Sequence, residues 1–245
     1  MEHHELKDRI IALNNYHTLA VYNYTCMALF ERHKMLFAFL LCIQKLKSEG
    51  KIDDAEYDFF LRGGQVLDRS LRPPNPCDWL SDVSWDNITE LEKLPAFKNL
   101  AHSFEQNSNE WRAWYRSEET PPERLPPPGE WQNKRDEFQQ MLILRCLRPD
   151  RVVFAARHFI AQNLGPQFVV APQLVLQNVF KVSNERTPLI FVLSPGADPS
   201  PQIFDLAKKV GATLEMRALG QGQAPIAAEL IEQGVKNGNW VYLAN

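Results

Sequence analysis

Two short loops carry the residue types from which phosphate chemistry is built. The first is Ser194-Pro195-Gly196-Ala197-Asp198-Pro199-Ser200-Pro201, directly after the apolar run Leu189 to Leu193. The second is Leu219-Gly220-Gln221-Gly222-Gln223. A loop between a buried strand and a helix is where mononucleotide phosphates sit, because the helix N-terminus presents free N–H groups. The working pattern is G-x-x-x-x-G-K-[ST]. Its glycines let the backbone approach phosphate, its Lys reaches the terminal phosphates, and its hydroxyl holds magnesium. Ser194 to Pro201 has one Gly, no Lys and three prolines. Each Pro removes an N–H donor, and Asp198 puts negative charge where phosphate needs positive charge. The run Trp240 to Asn245 also ends without the acidic residues that hold magnesium in nucleotide-hydrolysing sites. The residues therefore describe a nucleotide-binding scaffold that does not bind nucleotide. In the second loop, two glycines permit close backbone approach and two amides can donate and accept hydrogen bonds. Gly220, Gln221, Gly222 and Gln223 either hold the surface of a neighbouring module or make a tight strand-to-helix turn.

The elements around these loops alternate. An apolar strand, Leu189 to Leu193, leads to a helix with Ile203, Phe204, Ala207 and Val210 inward and Gly211 as its stop. A second extended run precedes the glycine-rich loop. A second helix follows, with Pro225 in its first turn and Ile226, Leu230, Ile231 and Val235 inward, and Gly238 ends it. Trp240 to Leu243 starts another buried strand. Strand, loop, helix, strand, loop, helix, strand predicts a parallel sheet flanked by helices. Leu189, Phe191 and Leu193 are expected in the core of a central strand, since continuous apolar runs belong to sheets covered on both faces.

LIFVLSPGADP, LGQGQAPIA and GNWVYLAN, in that order and spacing, resemble the sixth, degenerate AAA+ module of dynein heavy chains. The resemblance continues upstream through MLILRCLRPDRV, Met141 to Val152. It reaches back to Val21 to Gly64, which is similar to the helical region joining the fifth and sixth modules, so nearly the whole chain is covered. Ala224 and Ala244 depart from the Gly and Gln of many family members, and LSPGADP is closer to axonemal than to cytoplasmic dyneins. The resemblance implies an all-α region followed by the start of an α/β, P-loop-like module. It implies a structural, force-coupling segment of a six-module ring that drives ATP-dependent, minus-end-directed movement on microtubules in cilia and flagella. On that footing this segment hydrolyses no nucleotide and binds no cofactor, while ATP and magnesium belong to other modules of the parent. The implied partners are neighbouring AAA+ modules, microtubules, and dynein intermediate and light chains. The implied places are cytoplasm, cytoskeleton and ciliary axoneme. Two other readings stand beside this one: a divergent P-loop-type nucleotide-binding protein, and a free-standing interaction module from a truncated gene.

Composition narrows the classes further. The 245 residues are 44% hydrophobic and 23% charged, with net charge -3, which gives no reason to expect nucleic acid or an anionic membrane as partner. The longest apolar run, Met35 to Ile43, is too short to span a bilayer. Cys26, Cys42, Cys77 and Cys146 have no C-x-x-C spacing, so reduced, partly buried thiols are expected rather than disulfides or a metal site. No Ser-His-Asp or Cys-His set assembles. Ser194 lacks the first Gly of the nucleophile elbow G-x-S-x-G. His33 and His158 have no partner at a useful spacing. Trp111, Trp114 and Tyr115, with Arg112 and Arg116, suggest a stacking surface for single strands, but the acidic neighbours Glu110, Glu118 and Glu119 favour a helix covering the core.

Upstream of the α/β pattern the spacing is helical. Ile10, Leu13, Tyr16, His17, Ala20 and Tyr24 share one face, and Leu29, Phe30, His33, Leu36, Phe37, Leu40 and Leu41 another, with a break expected near Asn23. Asp53 is expected to cap a helix with Glu56 in capping-box register. Pro149 breaks the helix that starts near Gln132. Asp150 is expected to cap the next, with Val152, Val153, Ala156, Phe159, Ile160 and Leu164 inward. The prolines of Thr120 to Gly129 read as a semi-rigid linker. The expected organisation is a helical region over 1–119, a linker over 120–131, and an α/β region over 132–245. A sheet ending at Asn245 leaves an open edge, which leads us to expect a fragment or a truncated gene product.

Overall fold

A computed structural model describes residues 6–64, 72–133, 136–170 and 175–244. The chain divides into two compact units, residues 1–172 and 173–245.

The first unit is helical. It contains α1 (Leu6–Cys26), α2 (Glu31–Ser48), α3 (Asp54–Arg62), α4 (Asp82–Leu91), α5 (Leu100–Gln106), α6 (Ser108–Tyr115), α7 (Glu137–Leu147) and α8 (Val152–Asn163). Its centre is α7, which packs on α3, α4 and α8. Phe138, Met141, Leu142, Ile143, Leu144, Cys146 and Leu147 are all buried, as expected for a helix apolar on every side. Aromatic rings link the neighbours: Phe60 and Phe159 both lie against Phe138, at 5.8 and 5.9 Å between centroids. A second cluster stacks Trp111 on Phe104 at 4.3 Å, with Trp85 edge-on to Phe104. Trp111 and Trp114 are thus core residues, in line with the covering-helix reading.

Asp53 caps α3 as expected, accepting from the amides of Ala55 and Glu56. Glu56 is buried and accepts from Gln139 Nε2 at 2.7 Å, tying α3 to α7. Several expectations need correction. The first helix ends at Cys26, not near Asn23, and it buries Tyr22 and Cys26 while Ile10, Leu13, Tyr16 and Tyr24 face outward. In α2 the inner face is Ala38, Phe39, Cys42, Ile43 and Leu46, leaving Leu36 and Leu40 exposed. In α8, Val153 is exposed. Asp150 caps nothing: a single 3-10 turn, Pro149–Arg151, precedes α8, and both carboxylate oxygens of Asp150 accept from Arg148, at 2.9 and 2.8 Å.

The largest correction concerns the linker. Residues 120–131 are a packed strap inside the first unit rather than a boundary. Pro122 and Trp131 are buried, Trp114 donates Nε1–H to the carbonyl of Leu125 at 3.1 Å, and the buried Glu123 carboxylate pairs with Arg151 at 3.2 Å. Proline stiffens a chain whether or not it is free, so composition could not separate a tethered strap from a linker. The division falls instead around residue 172, where no proline-rich run marks it.

The second unit is a small α/β assembly of α9 (Leu176–Val182), α10 (Ser200–Val210), β1 (Leu214–Ala218), α11 (Ala224–Asn237) and β2 (Trp240–Ala244). Strands β1 and β2 run parallel, with Leu214 opposite Trp240 and Ala218 opposite Ala244. Alternation along β2 sends Val241 and Leu243 to one face and Trp240 and Tyr242 to the other. Helix α11 lies on the first face at Gly234, where a Cβ would come within 2.8 Å of Val241 Cγ2. Helices α9 and α10 take the opposite face: Phe180 packs on Trp240 at 4.9 Å, and Ser200 Oγ sits 3.1 Å from the Tyr242 hydroxyl. The unit is therefore layered helix, sheet, helix, with Gly211 and Gly238 closing their helices in the left-handed region.

Its interior is thinner than the sequence suggests. Leu189 to Leu193 forms no strand, Leu189 and Leu193 are exposed, and Phe191 is only half-buried. Without a neighbour to pair its backbone, the run has no ladder to join. Ile203 and Ala207 are buried as expected, but Phe204 and Val210 are exposed, and Leu206 completes the inner face instead. In α11, Ala227 and Gly234 face inward while Ile226, Ile231 and Val235 face out. Close approach at Gly234 brings the small residues against the sheet and turns the large ones away.

Candidate functional site

The first loop is built around two turns. Ala197 donates its N–H to the carbonyl of Ser194 at 3.0 Å, and Gly196 takes a positive φ of 82° within that turn. Asp198 Oδ1 then accepts the N–H of Ser200, the first residue of α10, at 2.9 Å. Hydrogen bonding to Ser200 holds the Asp198 carboxyl below the usual carboxylate range, so it is ionised at neutral pH. The next residue, Pro201, has no N–H. Ile203 donates back to Pro199 in the ordinary helical manner, at 3.1 Å. The positive end of the α10 dipole is thus occupied by the chain's own carboxylate. Ser194 to Asp198 is exposed and Pro199 half-buried.

Strand β2 places the Tyr242 phenol against the start of α10. Tyr242 reaches Ser200 Oγ and ties the sheet to the start of α10. Sequence reasoning missed this pair. Alternation from Trp240 puts Tyr242 on the same face, and that was the available signal.

The second loop follows β1. Leu219 donates to the carbonyl of Ala244 at 2.6 Å, extending the ladder one step beyond the strands. Gln223 then donates to the Gly220 carbonyl at 3.1 Å, and Gly222 adopts a φ of 81° with open space around it. Gln221 is exposed and Gln223 half-buried. The geometry is that of a tight strand-to-helix turn. No described hydrogen bond joins Gly220–Gln223 to Ser194–Pro199, so the structure brings Ser200 and Tyr242 together but not the two loops.

The other residues with chemical potential are held in the helical unit. All four cysteines are free and buried. Burial pushes the Cys42 thiol up to about 12 and the Cys146 thiol higher still, which leaves both as inert thiols. No group of three or more His, Cys, Asp or Glu capable of holding a metal occurs among the described residues. No helix among them is long and apolar enough to cross a membrane.

Residues 184–245 match the model of the dynein heavy chain region D6 P-loop domain. The chain is 52% identical over 244 residues to dynein axonemal heavy chain 2 of Mus musculus, covering 98% of this chain and 5% of that protein. The Homo sapiens protein of the same name is also 52% identical, over 98% of this chain and 6% of its own length. Dynein-1-beta heavy chain, flagellar inner arm I1 complex, of Chlamydomonas reinhardtii is 49% identical over 98% of this chain and 5% of its own length. The chain thus spans about one twentieth of the length of the relatives it matches. The matched P-loop region takes in α10, β1, α11 and β2 of the α/β unit, and the similarity to the relatives covers 98% of the chain, the helical unit included. The chain belongs to the dynein heavy chain family, as the start of its sixth, P-loop-type module and the helical region leading into it.

Proposed function

We propose that this chain is a structural and force-coupling part of a dynein heavy chain motor ring and that its own phosphate loop binds no nucleotide. The observation that carries this reading is the Asp198 carboxylate on the N–H of Ser200. A competent loop offers a run of free N–H donors, a Lys charge and a magnesium-holding hydroxyl. Here the chain's own anion takes the first donor, prolines remove others, and Ser200 Oγ is engaged with Tyr242. The remaining dipole is worth only about 0.3–1 kcal/mol toward an anion at an exposed site. In the parent, ATP and magnesium would act at other modules. This segment would carry rigid-body motion between neighbouring AAA+ modules in a ciliary or flagellar motor on microtubules, with intermediate and light chains as accessory partners. Gly220–Gln223, turn-like and exposed from Gly220 to Gly222, is where a neighbouring module would rest. Isothermal titration of Mg-ATP into the chain is expected to give no binding heat. Binding at micromolar Kd, abolished in an Asp198 or Gly196 variant, would restore the reading as a nucleotide-binding enzyme.

A further inference from the structure

The proline-rich strap of the helical unit is seated lightly. A cavity of about 270 Å³ remains between it and helices α7 and α8, where Met141, Leu144 and Phe159 supply the helix side of the lining. The charge pair that anchors the strap is imperfect too. Glu123 Oε2 and Arg151 Nε are 3.2 Å apart and both are sealed from solvent, yet their geometry makes no hydrogen bond. A buried pair recovers its desolvation cost only when its hydrogen bonds are well made.

The backbone adds little hold. Five of the eight residues 121–128 are prolines and offer no N–H. The amides of Arg124 and Leu125 are used within the strap, on the carbonyls of Pro121 and Pro122. Among the described hydrogen bonds, only the Leu125 carbonyl, accepting from Trp114 Nε1 at 3.1 Å, ties the backbone of 120–128 to a helix. The proline rings and the local bonds make 121–128 one stiff piece. Next to it, Gly129 has a φ of 63°, and a Cβ there would meet nothing nearer than 3.9 Å, so the backbone has room to turn. Beyond both ends the chain is fixed. Trp131 is buried, and Arg148 donates to the Tyr115 carbonyl at 2.8 Å with its guanidinium over the Tyr115 ring.

We propose that residues 120–128 are a lid over this cavity, latched by Glu123 on Arg151, which lifts as one piece about Gly129 while the helices stay folded. Lifting parts one ion pair and one hydrogen bond to a helix. It opens Met141, Leu144 and Phe159, an apolar face that the closed form withholds from solvent. Local openings of this kind belong to segments held by few buried contacts and few backbone hydrogen bonds. Stiffness keeps the lifted piece from unravelling, and the fixed ends limit how far it moves.

Native-state hydrogen exchange of the full chain tests this, read at the Trp114 indole N–H and at the Ile143 and Leu144 amides of α7. The indole N–H is released when the lid lifts, whereas the α7 amides wait for the helix to open. Protection at the indole is expected to be lower than at α7 by about tenfold or more. Glu123→Gln removes the latch charge at nearly constant size and is expected to lower indole protection by about another tenfold, with α7 unchanged. Arg151→Gln undoes the latch from the helix side and is expected to give the same selective change. Equal protection at the indole and at α7 in the unaltered chain overturns the proposal and makes strap and helices one cooperative unit. Latch variants that lower both sites together overturn it, as do latch variants that change neither.

Discussion

The helical unit and the α/β unit satisfy their apolar residues in different ways. In the first, large side chains meet one another: Trp85, Trp111, Trp131, Phe97, Phe104 and Phe138 are essentially sealed from solvent. In the second, the buried apolar residues among those described are Ile203, Leu206, Ala207 and Ala227, while Ile190, Val192 and Val235 stand in water. Helices satisfy their own backbones and need only side-chain contact to be stable neighbours. Strands must also find partners for their N–H and C=O groups. A helical segment can therefore close its core within a contiguous stretch, whereas a parallel sheet closes only when every strand has its neighbours.

The contrast can be broken first at the core. Trp111→Ala is expected to cost about 3–5 kcal/mol in a denaturant titration, because the stacked Phe104 and edge-on Trp114 cannot both refill the cavity. Val235→Ala, in the α/β unit, should change stability by less than about 0.5 kcal/mol. Equal losses at the two sites would mean that α11 packs where the structure leaves it exposed. The strap comes next. Glu123→Ala leaves the Arg151 guanidinium without its carboxylate and is expected to cost about 1–3 kcal/mol, less than a fully buried pair because Arg151 is 29% exposed. The same variant should make residues 120–131 newly susceptible to limited proteolysis. In the unaltered chain, cleavage is expected between residues 183 and 199 and not in the strap. Early cutting at Thr120 to Gly129 would restore the linker reading.

A further effect is on pH. Burial raises the Cys42 and Cys146 thiols above their unfolded values. The folded state then favours the protonated form, so stability is intact below about pH 8.5 and falls as pH rises through the folded values. Each thiol contributes a slope of up to about 1.4 kcal/mol per pH unit in that window. Cys42→Ala is expected to flatten the alkaline limb of the stability curve. An unchanged limb would mean that Cys42 ionises as readily in the folded chain as in the unfolded one.

The places where sequence reasoning succeeded and failed follow the same physics. The Asp53 cap, the Gly211 and Gly238 stops, and the absence of a phosphate loop's Lys are local statements, and each was readable from a few adjacent residues. The facing of α10 and α11 was only half readable. Apolar residues at helical spacing predict an inner face, but Phe204 and Val235 are exposed; in α11 the close approach at Gly234 sets which side meets β2. The Ser200–Tyr242 contact bridges 42 positions and left no mark in either segment alone.

What the sequence by itself determined was the order of elements from α10 to β2, the lack of a Lys in the Ser194–Pro201 loop, and the kinship with dynein heavy chains. These depend on residue type and spacing along one chain. What only the tertiary structure decided was that Thr120–Trp131 is a strap, that Asp198 occupies the helix terminus it was expected only to repel phosphate from, and that Leu189–Leu193 goes unpaired. Each of those outcomes depends on a partner distant in sequence, Arg151 for the strap, Tyr242 for the fixed start of α10, and a neighbouring strand for the apolar run. A partner's presence is a property of packing, which composition and periodicity do not encode.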